Sequence, residues 1–415
     1  MVDGGQVRGR RTVNGAVFLG IPYAAAPFGE LSLAEPQPVP PWTGVRDALE
    51  YGPTCPQPVD ESRPDNPVIP GDECLNVNVW TPDPLGSGLP VLVWIHGGGF
   101  VSGSNAIPYT DGTNFACDGV VTVAINYRLG AQGFGPAQGA PDNRGALDWL
   151  AALAWVRDNI ATFGGDPQRV TVMGHEAGGG AVALLLGMPA AEGLFHQAIV
   201  LSGHAFLRPR HPAHPAGEVA PIVGGELIPA SPVEAARAGA GRQIPLLIGV
   251  PTEHPLPPPG DPQDNRSLRE LLAGLGLTDA GAERYRISFL GATPAEIAAR
   301  AVGDRAVRVP LLDLAEARTA GQAPTHVFAF AARHGSPVPY AFDALDQPYA
   351  GLRTGPHPPL HLAEVLHSAL VDFVAKGDPG WPGYDAANRP ALVFDDPTCR
   401  LTLDPMRFER ELWSS

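Results

Sequence analysis

Short β-branched runs alternate along this chain with stretches of helical periodicity, and that alternation limits the possible folds more than any other property. The runs are LPVLVWI ending at Ile95, VVTVAINY from Val120 to Tyr127, RVTVMG ending at Gly174, HQAIVLSG ending at Gly203, IPLLIGV ending at Val250 and THVFAFAA ending at Ala332. Each is apolar almost throughout rather than at every second position, which predicts strands covered on both faces. Between Gly145 and Phe163, Leu147, Leu150, Leu153, Ala154, Val156 and Ile160 recur at helical spacing, and Gly164 to Pro167 stop that helix. Leu360 to Ala375 reads as a further amphipathic helix. Strand, helix, strand in repetition predicts an α/β fold, a doubly wound and mostly parallel sheet with helices on both faces. The opening segment from Val7 to Tyr51, rich in short β pieces and proline turns, predicts an edge meander. Such sheets run long as one unit, so residues 1–415 are expected to form one domain, with Arg208 to Gly217 as a surface loop.

A net charge of −15 is the wrong sign for wrapping nucleic acid or holding an anionic membrane, and both partners are excluded on that ground. No apolar run approaches the ~20 residues that span a bilayer. The opening MVDGGQVRGRRTVNG lacks the apolar centre of a secretion signal, so a cytoplasmic location is expected. Cys55, Cys74, Cys117 and Cys399 are too few for a disulfide scaffold and lack metal-site spacing. Neither a metal nor an organic cofactor is expected.

Chemistry concentrates at two glycine motifs. Gly174, His175, Glu176, Ala177 and Gly178 stand between a strand and an apolar helix, the layout of an elbow whose tight turn lifts the central side chain above the sheet. Upstream, His96 to Phe100 (HGGGF) follows another strand, as expected of a loop whose N–H groups face a developing oxyanion. Either motif alone is weak; both, in this order and each after a strand, point to one site.

At these residues the chain resembles the type B carboxylesterases, relatives of the cholinesterases within the α/β-hydrolase fold. GIPYAAAPFGE, DECLNVNVW, WIHGGGF, NYRLG, NIATFGGDPQRVTVMG, AIVLSG, PLLIG and FVAKGDPGWPGYD are similar to that family's motifs in the family's order. The resemblance implies that Gly98, Gly99 and Ala177 supply the oxyanion-hole amides and that His334, in AARHGSPVPY, is the catalytic histidine. It also implies that Cys55 and Cys74 stand where some relatives form a disulfide; thiols are expected in a reducing cytoplasm.

The departures matter as much as the matches. Glu176 stands where the family carries serine, and VPTEHPL puts His254 at the family's acid position with Glu253 beside it, so that either of the two is the partner of His334. Serine-esterase chemistry needs a hydroxyl that histidine can deprotonate, and a carboxylate is already anionic and a poor acyl acceptor. The stretch between Ser202 and Glu218 is shorter than in the family, which predicts a more open mouth.

Three readings follow. In the first, Glu176 and His334 form an acid–base pair for non-hydrolytic chemistry, namely cyclisation, carbon–carbon bond formation by addition, or elimination, on a bulky apolar or aromatic metabolite. In the second, Glu176 is a carboxylate nucleophile that hydrolyses an ester or epoxide. In the third, the chain is a binding protein that has lost catalysis, although an unpaired buried carboxylate is a costly result of drift. His175 is read as a supporting neighbour of Glu176 or a satisfied core histidine whose adjacency can tune that carboxylate, Ser202 as a backbone cap at a strand's carboxyl end, and Phe100, Phe206 and Tyr340 as walls of an aromatic-friendly pocket. Ordinary core packing explains those aromatics equally well. The oligomeric state is expected to be monomer or homodimer.

Overall fold

The computed structural model of the chain describes residues 1–203, 208–209, 219–253 and 268–413. Its centre is an eleven-stranded sheet among the described residues. In chain order the strands are β1 (Arg10–Thr12), β2 (Gly15–Pro22), β3 (Asn76–Thr81), β4 (Leu89–Ile95), β5 (Val121–Ile125), β6 (Gly165–His175), β7 (Gln197–Leu201), β8 (Leu246–Pro251), β9 (Thr325–Phe330), β10 (Pro390–Phe394) and β11 (Arg400–Leu403). Their spatial order is β11-β10-β9-β8-β7-β6-β4-β5-β3-β2-β1. Strands β4 to β10 run parallel to their neighbours in that block, whereas β1, β2 and β3 at one end and β11 at the other are antiparallel. The expected doubly wound sheet is therefore present, with a meander at its N-terminal edge.

Both faces are covered, which is why the central strands read as unbroken apolar runs. On β4, Val91, Val93 and Ile95 enter one core with helices α1 (Arg144–Asn159) and α2 (Ala177–Leu185), through Trp149, Leu153, Ala181 and Val182. Leu92 and Trp94, pointing the other way, join Leu366, Leu370 and Phe373 of helix α4 (Leu360–Lys376). Successive strand side chains alternate between faces, so each strand serves two cores. A third cluster, with Leu272, Tyr285, Ile297 and Leu412, joins short helices of residues 268–303, including α3 (Pro294–Gly303), to the C-terminal helix α5 (Arg407–Trp413). No described helix is long and apolar enough to cross a membrane.

A buried ion pair braces the sheet's carboxyl end. Arg128, directly after β5, donates through Nε and Nη2 to the two oxygens of Asp148 on α1 at 2.9 and 2.7 Å, and both side chains are fully buried. Its Nη1 donates to the Ala34 carbonyl at 2.7 Å, tying the N-terminal meander to the same point. Such a bidentate pair fixes geometry because neither charge tolerates loss of the other.

Candidate active site

The strand β6 ends in a turn that forces Glu176 to φ 50° and ψ −119°, at the N-cap of α2. A non-glycine residue there is strained, since its Cβ crowds the backbone. The turn is possible because the glycines around it let backbone approach backbone. A Cβ on Gly178 would collide with the carbonyl of Ile95, and one on Gly174 with the backbone of Gly178. The Glu176 N–H donates to the Leu201 carbonyl at 3.1 Å, which pins the elbow to β7.

The HGGGF loop leaves β4 beside this turn. His96 is buried, its Nδ1 meets the Gly97 carbonyl at 2.8 Å, and its ring stacks on Tyr127 at 4.5 Å. The Tyr127 hydroxyl donates to the His96 carbonyl at 2.9 Å. Burial holds the His96 pKa down at about 4, so the ring is neutral at physiological pH. Gly98, at φ 110°, could carry no side chain, because a Cβ would collide with the carbonyl of Ser102. Among the described residues, Gly98 and Gly99 donate no backbone hydrogen bond, and the Ala177 amide opens a helix, where N–H groups have no helical acceptor.

A cavity of about 300 Å³ lies over these elements. Glu176, His175, Gly98, Ser202 and Glu253 all line it, as do the apolar side chains Trp94, Ile107, Phe330 and Val338. The Glu176 carboxylate also comes close to Gly97, one Oε lying 3.2 Å from where a Cβ on that glycine would stand. Gly99, Ala177, Phe100, Tyr340 and His334 are not among the lining residues.

Phe100 is a core residue instead, 1% exposed, with its ring 4.8 Å from Phe134 and 6.0 Å from Trp149. A positive φ of 64° in the loop turns its side chain inward, away from the expected pocket wall. Tyr340 is buried with its ring 5.2 Å from Phe330, and its hydroxyl donates to the His334 carbonyl at 3.2 Å. Phe206 and His254 lie outside the described residues.

His334 follows β9 as the resemblance implies; of its two expected partners, His254 lies outside the described residues and Glu253 is held elsewhere. Glu253, whose side chain is 59% exposed, forms an ion pair with Arg300 at 2.8 Å. The partner of His334 is Asp395, at the carboxyl end of β10: Nε2 and Oδ1 are 3.0 Å apart. Arg333 joins the same carboxylate at 2.5 Å. Burial would raise the Asp395 pKa, but the hydrogen bond from His334 and the Arg333 charge outweigh it, and the carboxyl stays below its usual range. Arg333 also donates through Nε to the His334 Nε2 at 3.4 Å, so both an anion and a cation meet that nitrogen, while Nδ1 makes no hydrogen bond to a described residue. Sequence reading missed Asp395. Its signal is an aspartate immediately after the apolar run PALVF, where parallel strands present their site residues.

Cys55 and Cys74 are buried free thiols whose sulfurs lie 2.8 Å apart.

The strained elbow after a parallel strand, the glycine loop beside it and a histidine after a later strand define an α/β-hydrolase. Residues 1–217 match the carboxylesterase family. The chain is 33% identical to para-nitrobenzyl esterase of Bacillus subtilis strain 168, with 94% of this chain and 93% of that one aligned. It is 32% identical to phenmedipham hydrolase of Pseudarthrobacter oxydans over 94% of each chain. Among solved structures, a carboxylesterase of Geobacillus stearothermophilus matches 99% of both chains with a TM-score of 0.87 at 31% identity. The chain belongs to the carboxylesterase family.

Proposed function

We propose that this carboxylesterase-family chain uses Glu176 as a proton-transfer residue in non-hydrolytic chemistry, with the amides of Gly98, Gly99 and Ala177 stabilising an enolate or phenolate. The observation that carries this reading is the carboxylate at the elbow: Glu176 holds the strained position, lines the cavity beside Gly98 and offers no hydroxyl for acyl transfer. A base poised next to unpaired amides suits removal of a proton from a carbon beside a carbonyl. Cyclisation, addition that forms a carbon–carbon bond, and elimination all begin in that way. His334, whose Nε2 meets Asp395 at 3.0 Å, is the second proton carrier in this reading. The cavity's apolar wall of Trp94, Ile107, Phe330 and Val338 suits an apolar or aromatic small molecule.

The test is exchange of the benzylic protons of phenylacetone in deuterium oxide, followed by proton NMR. The native protein should accelerate exchange over the Glu176→Gln variant; equal rates would remove Glu176 from the role of base.

A second reading keeps hydrolysis, with Glu176 as a carboxylate nucleophile on an ester or epoxide. The names of the relatives, an esterase and a hydrolase, favour it. Heavy oxygen from labelled water appearing in the Glu176 carboxylate after turnover of 4-nitrophenyl butyrate supports this reading over the first.

A further inference from the structure

The cavity that Glu176 and Gly98 line also carries two guanidinium groups. Arg63 and Arg353, far apart in sequence, both line it. They meet on one carboxylate, Asp65, whose side chain is 1% exposed. Arg63 donates through Nε to Oδ1 at 3.2 Å. Arg353 donates through Nε to Oδ2 at 2.8 Å and also through Nη2. Tyr109 donates its hydroxyl to the same Oδ2 at 2.8 Å. Asp65 is thereby saturated. The hydrogen bonds from Arg353 and Tyr109 overcome its burial and hold its pKa below the usual range, so it is anionic at neutral pH.

Within this cluster, two cations against one anion leave a local surplus of one positive charge. The donors left over are directional: among the described residues, both Nη atoms of Arg63 and Nη1 of Arg353 make no hydrogen bond. The wall is also fixed in place. Ser336 donates its N–H to the Arg353 carbonyl at 2.9 Å, and a Cβ on Gly335 would collide with that same carbonyl, so the turn carrying His334 rests on the Arg353 backbone. Unused guanidinium donors on a wall with one surplus charge match a planar monoanion better than a neutral group or a phosphate dianion.

We propose that Arg63 and Arg353 form an anion subsite of this cavity, and that the substrate carries a carboxylate that binds there. The proposal rests on the reading that this cavity is the reaction site. Glu176, itself a carboxylate in the same cavity, repels an anion from its own end. The substrate is thereby oriented, with its charge at the arginines and its uncharged reacting portion under Gly98. The substrate class is an apolar body with one carboxylate, rather than a wholly neutral ester.

The test is calorimetric titration of the full-length protein with 4-phenylbutyrate and with its neutral isostere 4-phenylbutyramide. The acid should bind about tenfold or more tightly than the amide at low salt, as a charge-assisted contact requires, and the preference should shrink as potassium chloride is added. Arg63→Gln, at a side chain 40% exposed, should reduce the preference without disturbing the fold, checked by circular dichroism. Arg63→Glu should abolish it. Equal binding of acid and amide by the native protein, an acid preference unchanged in Arg63→Glu, or no saturable binding of the acid at millimolar concentration would each overturn the proposal. Binding is read without turnover, so the outcome is separate from the exchange assay. Loss of exchange in Glu176→Gln bears on the base, and loss of acid preference in the Arg63 variants bears on the subsite.

Discussion

The elbow's geometry predicts that the protein gives up stability to hold Glu176 where it stands. Its φ of 50° and ψ of −119° lie in a region that side chains avoid and glycine tolerates. Holding a residue with a Cβ there costs about 1–3 kcal/mol. Glu176→Ala keeps the Cβ and hence the strain, whereas Glu176→Gly relieves it; both remove the carboxylate, so their difference isolates the backbone. Against the relief stands the greater freedom that glycine gains on unfolding, about 0.5–1 kcal/mol. The glycine variant should therefore be the more stable of the two by roughly 1 kcal/mol, or about 1–2 °C in Tm for a chain of this size. Differential scanning calorimetry of the two variants side by side resolves such a shift. A glycine variant that melts at or below the alanine variant would show that the elbow stores no strain. The idea that function holds Glu176 in place against stability would then fall. Neither variant should accelerate exchange of phenylacetone protons.

Further outcomes follow from the buried charges. Asp148→Asn should destabilise the protein by about 3–5 kcal/mol in urea titration, since it leaves the Arg128 guanidinium buried against a neutral group; a loss under 1 kcal/mol, on that same scale, would mean that water reaches the pair. His96 is depressed from 6.5 to about 4 by burial, so the unfolded chain binds its proton first as pH falls. The stability of the native protein relative to His96→Asn should therefore be constant above about pH 6.5 and decline toward about pH 4, by about 3 kcal/mol in total. A difference independent of pH across that window would place the ring in water. Asp395→Asn removes the carboxylate against His334 Nε2, so phenylacetone exchange should slow and its pH profile should shift while the melting temperature stays close to native. An unchanged profile would assign Asp395 no part in positioning His334.

Much of the architecture is legible in the sequence. Each central strand was readable because a strand covered on both faces has no polar alternation to hide it, and Ile95, Tyr127 and Gly203 mark strand ends close to where the sheet places them. The elbow was equally plain, because Gly174 and Gly178 answer a local steric demand that leaves its mark within five residues. The helices between residues 268 and 303 and the strands β10 and β11 were not read, since their apolar runs are short and stand among polar residues, and the helices bury into a separate cluster.

The sequence by itself determined the sheet, the order of the motifs and the presence of a carboxylate at the elbow, all of which follow from periodicity and backbone sterics over a few residues. Tertiary structure alone decided what faces what. It turned Phe100 into the core, paired Glu253 with Arg300, set Asp395 on His334 across 61 residues and brought Arg353 to Asp65 across 288. Charged side chains find partners by proximity at the carboxyl ends of strands that are neighbours in space, and no local pattern encodes which distant arginine or aspartate will arrive there.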